Sequence, residues 1–340
     1  MEQIPYEFLK NTAPYGLEKR KTPSKLALWK VLVFFAAVMA VFLFLGSYIQ
    51  YRLGMAGVAV TELMFLAAAV LFALSQKADL RQVFPVRRPK LLLIGAASVL
   101  WAASYLSVII VNLIMAYFFP AGILGTGNST NAVISSIPWG AAFLITAVLP
   151  AVCEEALHRG VIQYGVQNTL KKSWMIVLLM GLLFGVFHVS LWKFLPTAVL
   201  GAAMSYLLLR TGNMLYSSYF HFLHNAVQML LLLPAASAAG TVFASETQDF
   251  LYQSVRRILP VSIGLYLCIG AVIPFLLYLS HWMMIRAEMG VRIRFIPWGP
   301  AGKKILRWIL IPTILFLAAG LLILMCGIGG AVRYTGRFGY

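Results

Sequence analysis

Two adjacent carboxylates, Glu154 and Glu155, and an arginine four residues later, Arg159, sit inside a stretch that otherwise reads as membrane helix. The chain has 10 acidic residues in all, so a neighbouring pair within an apolar run calls for a reason. Ionisable groups in lipid cost ~2.5–3.5 kcal/mol each on insertion scales and persist where they pair or work. Arg159 shares a helical face with Glu155 and is placed to neutralise it. Glu154 is rotated about 100° around the same helix and is left for another task.

Histidine is concentrated in the same region. Four of the 5 histidines fall between positions 158 and 224. His188 closes Phe184-Gly185-Val186-Phe187-His188, and His221 and Asn225 share a helical face four residues apart, with His224 on its flank. These types suit amide hydrolysis. A carboxylate in low-dielectric surroundings binds a proton more readily than in water, as a general base for water must. On this reading Glu154 activates water, His188 assists, His221 and Asn225 hold the oxyanion, and Glu155 with Arg159 fixes the helix. An oxyanion donor is worth ~3–4 kcal/mol. The chemical alternative is zinc held by Glu154, His188 and His221 with a fourth position open. That set lacks a His-Glu-x-x-His motif, and the favoured reading has no cofactor. His158 reads as a local cap or pair, His224 as a residue supporting the site from behind, and Phe184 as packing beside it. Glu62 is a lone intramembrane acid, read as the partner of a basic residue ahead of a proton path.

Such residues need helices to hold them at depth. The chain is 61% hydrophobic and 11% charged, which excludes an ordinary soluble domain. About 20 apolar residues cross ~30 Å of hydrocarbon. Nine runs approach that length: 27–49, 55–75, 91–119, 137–163, 174–191, 194–209, 214–234, 258–280 and 305–329. The expected fold is therefore an all-α, polytopic transmembrane bundle of about nine spans, with a polar catalytic core in spans four to seven. Its organisation is expected as a basic cytoplasmic segment over 1–26, scaffold helices over 27–136, the core over 137–234, and C-terminal helices and tail over 235–340. Segments 120–136 and 235–257 read as outside loops.

The net charge of +17 is distributed as topology rather than as a nucleic-acid surface. With the N-terminus inside, twenty of the 27 Lys and Arg residues fall on the inner side and six on the outer. The expected location is the cell membrane, multi-pass, N-terminus cytoplasmic and C-terminus outside. Its expected partners are the lipid bilayer and a membrane peptide or protein substrate, with no nucleic acid. The start of the chain lacks a signal-peptide core and cleavage site, so the first span reads as a retained anchor. Cys153, Cys268 and Cys326 have no paired spacing, and Cys153 reads as small core filler.

Glu154-Glu155-x-x-x-Arg159, Phe184-x-x-x-His188 and His221-x-x-x-Asn225, in this order and in membrane spans, resemble the CAAX-protease and bacteriocin-processing (Abi) family of intramembrane endopeptidases. The resemblance covers about 137–234 and includes Leu200-Gly201-Ala202-Ala203 and Leu209-Arg210-Thr211-Gly212 ahead of the third motif. It implies an eight-helix-like core with a cytosol-facing cavity. It also implies cleavage of a lipid-bearing CAAX tail, a peptide pheromone, a bacteriocin leader or a membrane protein. Carried over, Glu154 and His188 activate water, and His221 and Asn225 form the oxyanion site. His158 and His224 depart from the family pattern. The readings from other classes are a non-catalytic immunity or regulatory scaffold of the same fold, and a proton-coupled transporter.

Overall fold

The computed structural model describes residues 26–242, 248–290 and 293–335. The basic segment expected over 1–26 lies outside the described residues except for Leu26, as do 243–247 of the expected loop 235–257. Among the described residues all regular structure is helical. Seven helical stretches are long and apolar enough to cross a membrane, so the chain is a multi-pass membrane protein. These are α1 (Leu28–Leu53), α2 (Met55–Ser75), α3 (Leu91–Phe118), α5 (Trp139–Thr169), α7 (Leu191–Thr211), the bent pair α9–α10 from Arg256 to Met289, and α11 from Pro300. Helices also fill the remaining two expected positions, as α6 (Ser173–Phe187) and α8 (Met214–Val242).

The segment expected as an outside loop over 120–136 is instead a helix, α4 (Pro120–Ile134). Pro120 is at the helix start, where its missing N–H is not needed. The hydroxyls that make the segment look loop-like are absorbed by the helix itself. Thr126, Ser129 and Thr130 each donate to the carbonyl four residues back, at 2.8, 2.9 and 2.9 Å. The expected loop 235–257 is also largely helical, because α8 runs to Val242 and α9 (Gln248–Gly270) begins at Gln248.

Helix α5 carries the paired glutamates and is not uniform. It widens into π-helical turns at Leu144–Val148 and at Ala156–Ile162. The first lies just ahead of Pro150, which has no N–H and whose ring crowds the carbonyl four residues back. The second follows Glu155 directly, and such turns concentrate at functional sites.

Two apolar cores flank α5. One joins α1, α2, α5 and α6 through Phe35, Phe65, Leu157 and Met180. The other joins α3, α6, α7 and α8 through Leu100, Phe184, Met204 and Phe220, and reaches Met284 of α10 (Ile273–Met289). The outer surface is apolar as lipid requires: only 11% of the span window of α11 (Pro300–Thr335) is buried within the protein.

The α6–α7 pair is what sinks the polar residues. At 15 residues α6 is about 22 Å long, shorter than the ~30 Å hydrocarbon layer. The chain then turns at His188-Val189-Ser190, with Val189 at φ 47°, uncommon for a β-branched residue. The Ser190 hydroxyl accepts from the Lys193 N–H at 3.4 Å to start α7. The two helices lie close because Gly181 and Gly185, one turn apart, face α7 backbone. A Cβ at either would stand 2.8 Å from a carbonyl oxygen, Ala198 O and Phe194 O respectively. Gly185→Leu is expected to force the pair apart and lower stability by about 1–3 kcal/mol. Unfolding of the purified protein in mixed micelles measures this, and an unchanged midpoint would contradict the close packing.

Candidate active site

The ion pair expected on α5 is present and fully enclosed. Arg159 Nη1 lies 2.8 Å from Glu155 Oε1, with both side chains at 0% exposure. Arg159 Nη2 donates to Gly201 O of α7 at 3.2 Å, and its guanidinium lies over the Phe184 ring of α6 at 4.5 Å. Gly201 permits this approach, since a Cβ there would meet the Phe184 side chain at 2.6 Å.

Glu155 has a second partner. His221 Nδ1–H of α8 donates to the same Oε1 at 3.2 Å. An ionised carboxylate only accepts, so this contact places a ring proton on Nδ1, and the lone pair of a neutral His221 is on Nε2. That Nε2 faces Glu154 Oε2 at 3.9 Å, too far for a direct hydrogen bond. Glu155 and Glu154 thus lie on opposite sides of one imidazole.

The other sequence candidates are nearby with different contacts. His188 Nδ1 bonds the Phe184 carbonyl at 2.8 Å. A carbonyl also only accepts, so the lone pair of a neutral His188 is on Nε2. His188 and Asn225 line the same cavity as Glu154 and His221. His158 lies apart from that cavity: it is buried, its Nδ1 bonds Glu154 O at 3.0 Å, and its ring is packed by Phe184 and Phe187. His224 pairs with Gln228 at 2.7 Å and meets Tyr105 edge-on. Phe184 touches Arg159, His158, His188 and His221, so the packing residue of the sequence reading is the common wall of the site.

Glu62 of α2 has a partner that the sequence reading did not anticipate. Its carboxyl is buried beside that of Glu154 rather than beside a basic residue. Two carboxyls buried side by side avoid carrying two like charges by holding a proton between them. No local spacing signals this contact, which joins residues far apart in sequence. Cys153 is buried and unpaired beside the two acids.

The cavity has a volume of about 810 Å³. Glu154, Phe184 and His221 form its floor, and α4 contributes a wall through Thr126, Thr130 and Asn131. Among the described residues no group of three or more His, Cys, Asp or Glu side chains is arranged to hold a metal ion.

Residues 136–227 match the family model described as type II CAAX prenyl endopeptidase Rce1-like. The match holds Glu154, Glu155, Arg159, His188, His221 and Asn225, and it bears out the resemblance read from the three motifs. No curated protein and no solved structure matches the chain.

Breaking an enclosed ion pair by removing one partner destabilises by about 3–5 kcal/mol, whereas replacing both with apolar groups is often neutral. Arg159→Met alone is therefore expected to lower stability strongly, and Glu155→Leu/Arg159→Met to recover most of the loss. Denaturant titration in micelles reads both, and additive losses would contradict a coupled pair.

Proposed function

We propose that the protein is an intramembrane endopeptidase that hydrolyses a peptide bond of a membrane-associated peptide or protein, with Glu154 as the general base. The supporting observation is the 3.9 Å gap between Glu154 Oε2 and the His221 Nε2 lone pair at the cavity floor. Two acceptors that face each other across such a gap suit one water, which donates a hydrogen to each at about 2.8 Å. A water held by both protons presents its oxygen lone pair to a substrate carbonyl.

As that oxygen bonds to the carbonyl carbon, one water proton passes to Glu154. The Asn225 side-chain amide, at the cavity wall, donates to the oxyanion. Collapse breaks the carbon–nitrogen bond while Glu154 returns its proton to the leaving amine. Glu155, itself held by Arg159, keeps His221 in the tautomer that this step needs. His188 supplies a further acceptor at Nε2 within the cavity for the substrate's own N–H groups. Glu62, buried beside Glu154, holds the proton that the two acids share and leaves Glu154 ionised for the water.

This differs from the sequence reading in two respects: His221 takes the place of His188 beside Glu154 on the water, which leaves Asn225 as the neutral oxyanion donor, and His188 binds the substrate instead. No step is routed through a metal. The family match supports a CAAX-type endopeptidase, and a lipid-bearing tail or a leader-bearing peptide are the substrate classes that the resemblance implies. Nothing in the site favours the immunity or scaffold reading.

Glu154→Gln is expected to lower peptide cleavage by about 10²–10⁴-fold while the protein stays folded, and Asn225→Ala by about 10²–10³-fold. Comparative peptidomics of cells with wild type or Glu154→Gln reads the first and finds substrates. Wild-type processing in that variant would sink the assignment. Cleavage by the purified enzyme is expected to persist in strong chelators. Loss that zinc alone restores would overturn the metal-free step.

A further inference from the structure

The cavity opens at one end of the bundle, and the basic residues gather at the other. From its floor at Glu154 and His221, the lining climbs to Gln50 and Met55 at the α1–α2 turn, Asn131 of α4, and Trp192 and Lys193 at the start of α7. Every one of these elements has its opposite end at the basic face or connects to a helix that does. α2 runs down to Lys77, α5 to Lys171 and Lys172, and α7 to Arg210.

At that basic end hydrogen bonds tie the loops and helix ends to one another. Asn213 exchanges hydrogen bonds with Arg87, accepting from its N–H at 3.2 Å and donating to its carbonyl at 3.0 Å. The Met214 N–H donates to Pro85 O at 2.7 Å, and the Lys90 N–H to Tyr216 Oη at 2.7 Å. The Leu28 N–H donates to Thr169 Oγ1 at 3.1 Å, and Lys30 Nζ to Gln76 Oε1 at 3.0 Å. Basic residues flanking spans mark the cytoplasmic side. By that rule the tied end is cytoplasmic, and the end to which the cavity runs is not.

The rim also has a charge. Among the residues that line the cavity Lys193 is the one lysine or arginine, and Glu154 is the one carboxylate. Lys193 Nζ donates to Thr130 Oγ1 at 3.2 Å, and no carboxylate pairs with it among the described residues. It lies in the first turn of α7, where the helix dipole adds to the positive potential instead of offsetting it. A half-buried cation placed there is suited to an anionic group on the ligand.

We propose that the site takes its substrate from the extracytoplasmic side, as a peptide or juxtamembrane segment already across the membrane, with an anionic group seated at Lys193. This rests on the endopeptidase reading for its chemistry, but the side of access is independent of turnover. It departs from the cytosol-facing cavity that the family resemblance implies.

Two measurements test it. With Cys153, Cys268 and Cys326 replaced by alanine, Asn131→Cys places a thiol in the outer part of the cavity lining and Val86→Cys one at the basic end, where Val86 is 58% exposed. In intact cells a membrane-impermeant maleimide is expected to label Asn131→Cys at once and Val86→Cys only after permeabilisation. The reverse pattern overturns the proposal. Labelling is expected to be the same in a Glu154→Gln background, so a failure of the catalytic reading leaves this result standing. For the anion, an impermeant peptide substrate bearing a carboxylate beside the cleaved bond is compared with its amide, supplied outside intact cells. The carboxylate form is expected to show about a tenfold lower KM, and Lys193→Met to erase that difference. An undiminished preference in Lys193→Met overturns the anion site.

Discussion

A charged pair with no exposed surface, in a bundle whose outside is lipid-facing, constrains everything around it. Glu155 and Arg159 satisfy one another on α5, yet neither is satisfied by that contact alone. Arg159 Nη2 draws on the backbone of α7 and the guanidinium lies on the ring face of Phe184 on α6, and Glu155 draws on His221 of α8. Four helices therefore meet at one pair of charges. In hydrocarbon there is no water to replace a lost partner, so these helices have one satisfactory arrangement. That arrangement fixes the rotation of His221 and with it the face that Glu154 sees.

The depth of the site follows from helix length and from small residues. A short α6 turns back at His188, and Gly181 and Gly185 let α7 return against it without displacing Phe184. Polar groups that would be expensive in lipid are gathered between two apolar cores, while α4 walls the mouth with hydroxyls already bonded to its own backbone. The cavity lining runs to that same end, and at the opposite end side-chain-to-backbone bonds tie the basic loops together. Structure and charge distribution thus give the bundle two unlike ends.

Much of this was legible in the sequence. Helices fill all nine apolar runs, although α6 is shorter than its run because the chain turns at Val189. Glu155 with Arg159 followed from their spacing, and the convergence of Glu154, His188, His221 and Asn225 from the expense of polar groups in lipid. The segment 120–136 was read as a loop because its Gly, Ser, Thr and Asn content is the loop signature, and composition does not reveal hydroxyls bonded to the preceding helical turn. The partner of Glu62 was not legible, since nothing local links α2 to α5. Helical spacing gave the face of His221 but not which nitrogen meets which glutamate, and that distinction moves it from the oxyanion to the water. The Gly181-x-x-x-Gly185 spacing was a usable signal for the α6–α7 contact.

The account depends on a neutral His221 whose proton is on Nδ1, pointed at Glu155, with Nε2 free to hold water against Glu154. Nitrogen-15 NMR of the histidine-labelled enzyme, with His221 assigned by its loss in His221→Gln, reads this directly. The predicted result is a protonated Nδ1 and an unprotonated Nε2 at neutral pH, with this tautomer preference lost in Glu155→Gln. A protonated Nε2 in the wild type, unaltered by Glu155→Gln, would contradict it.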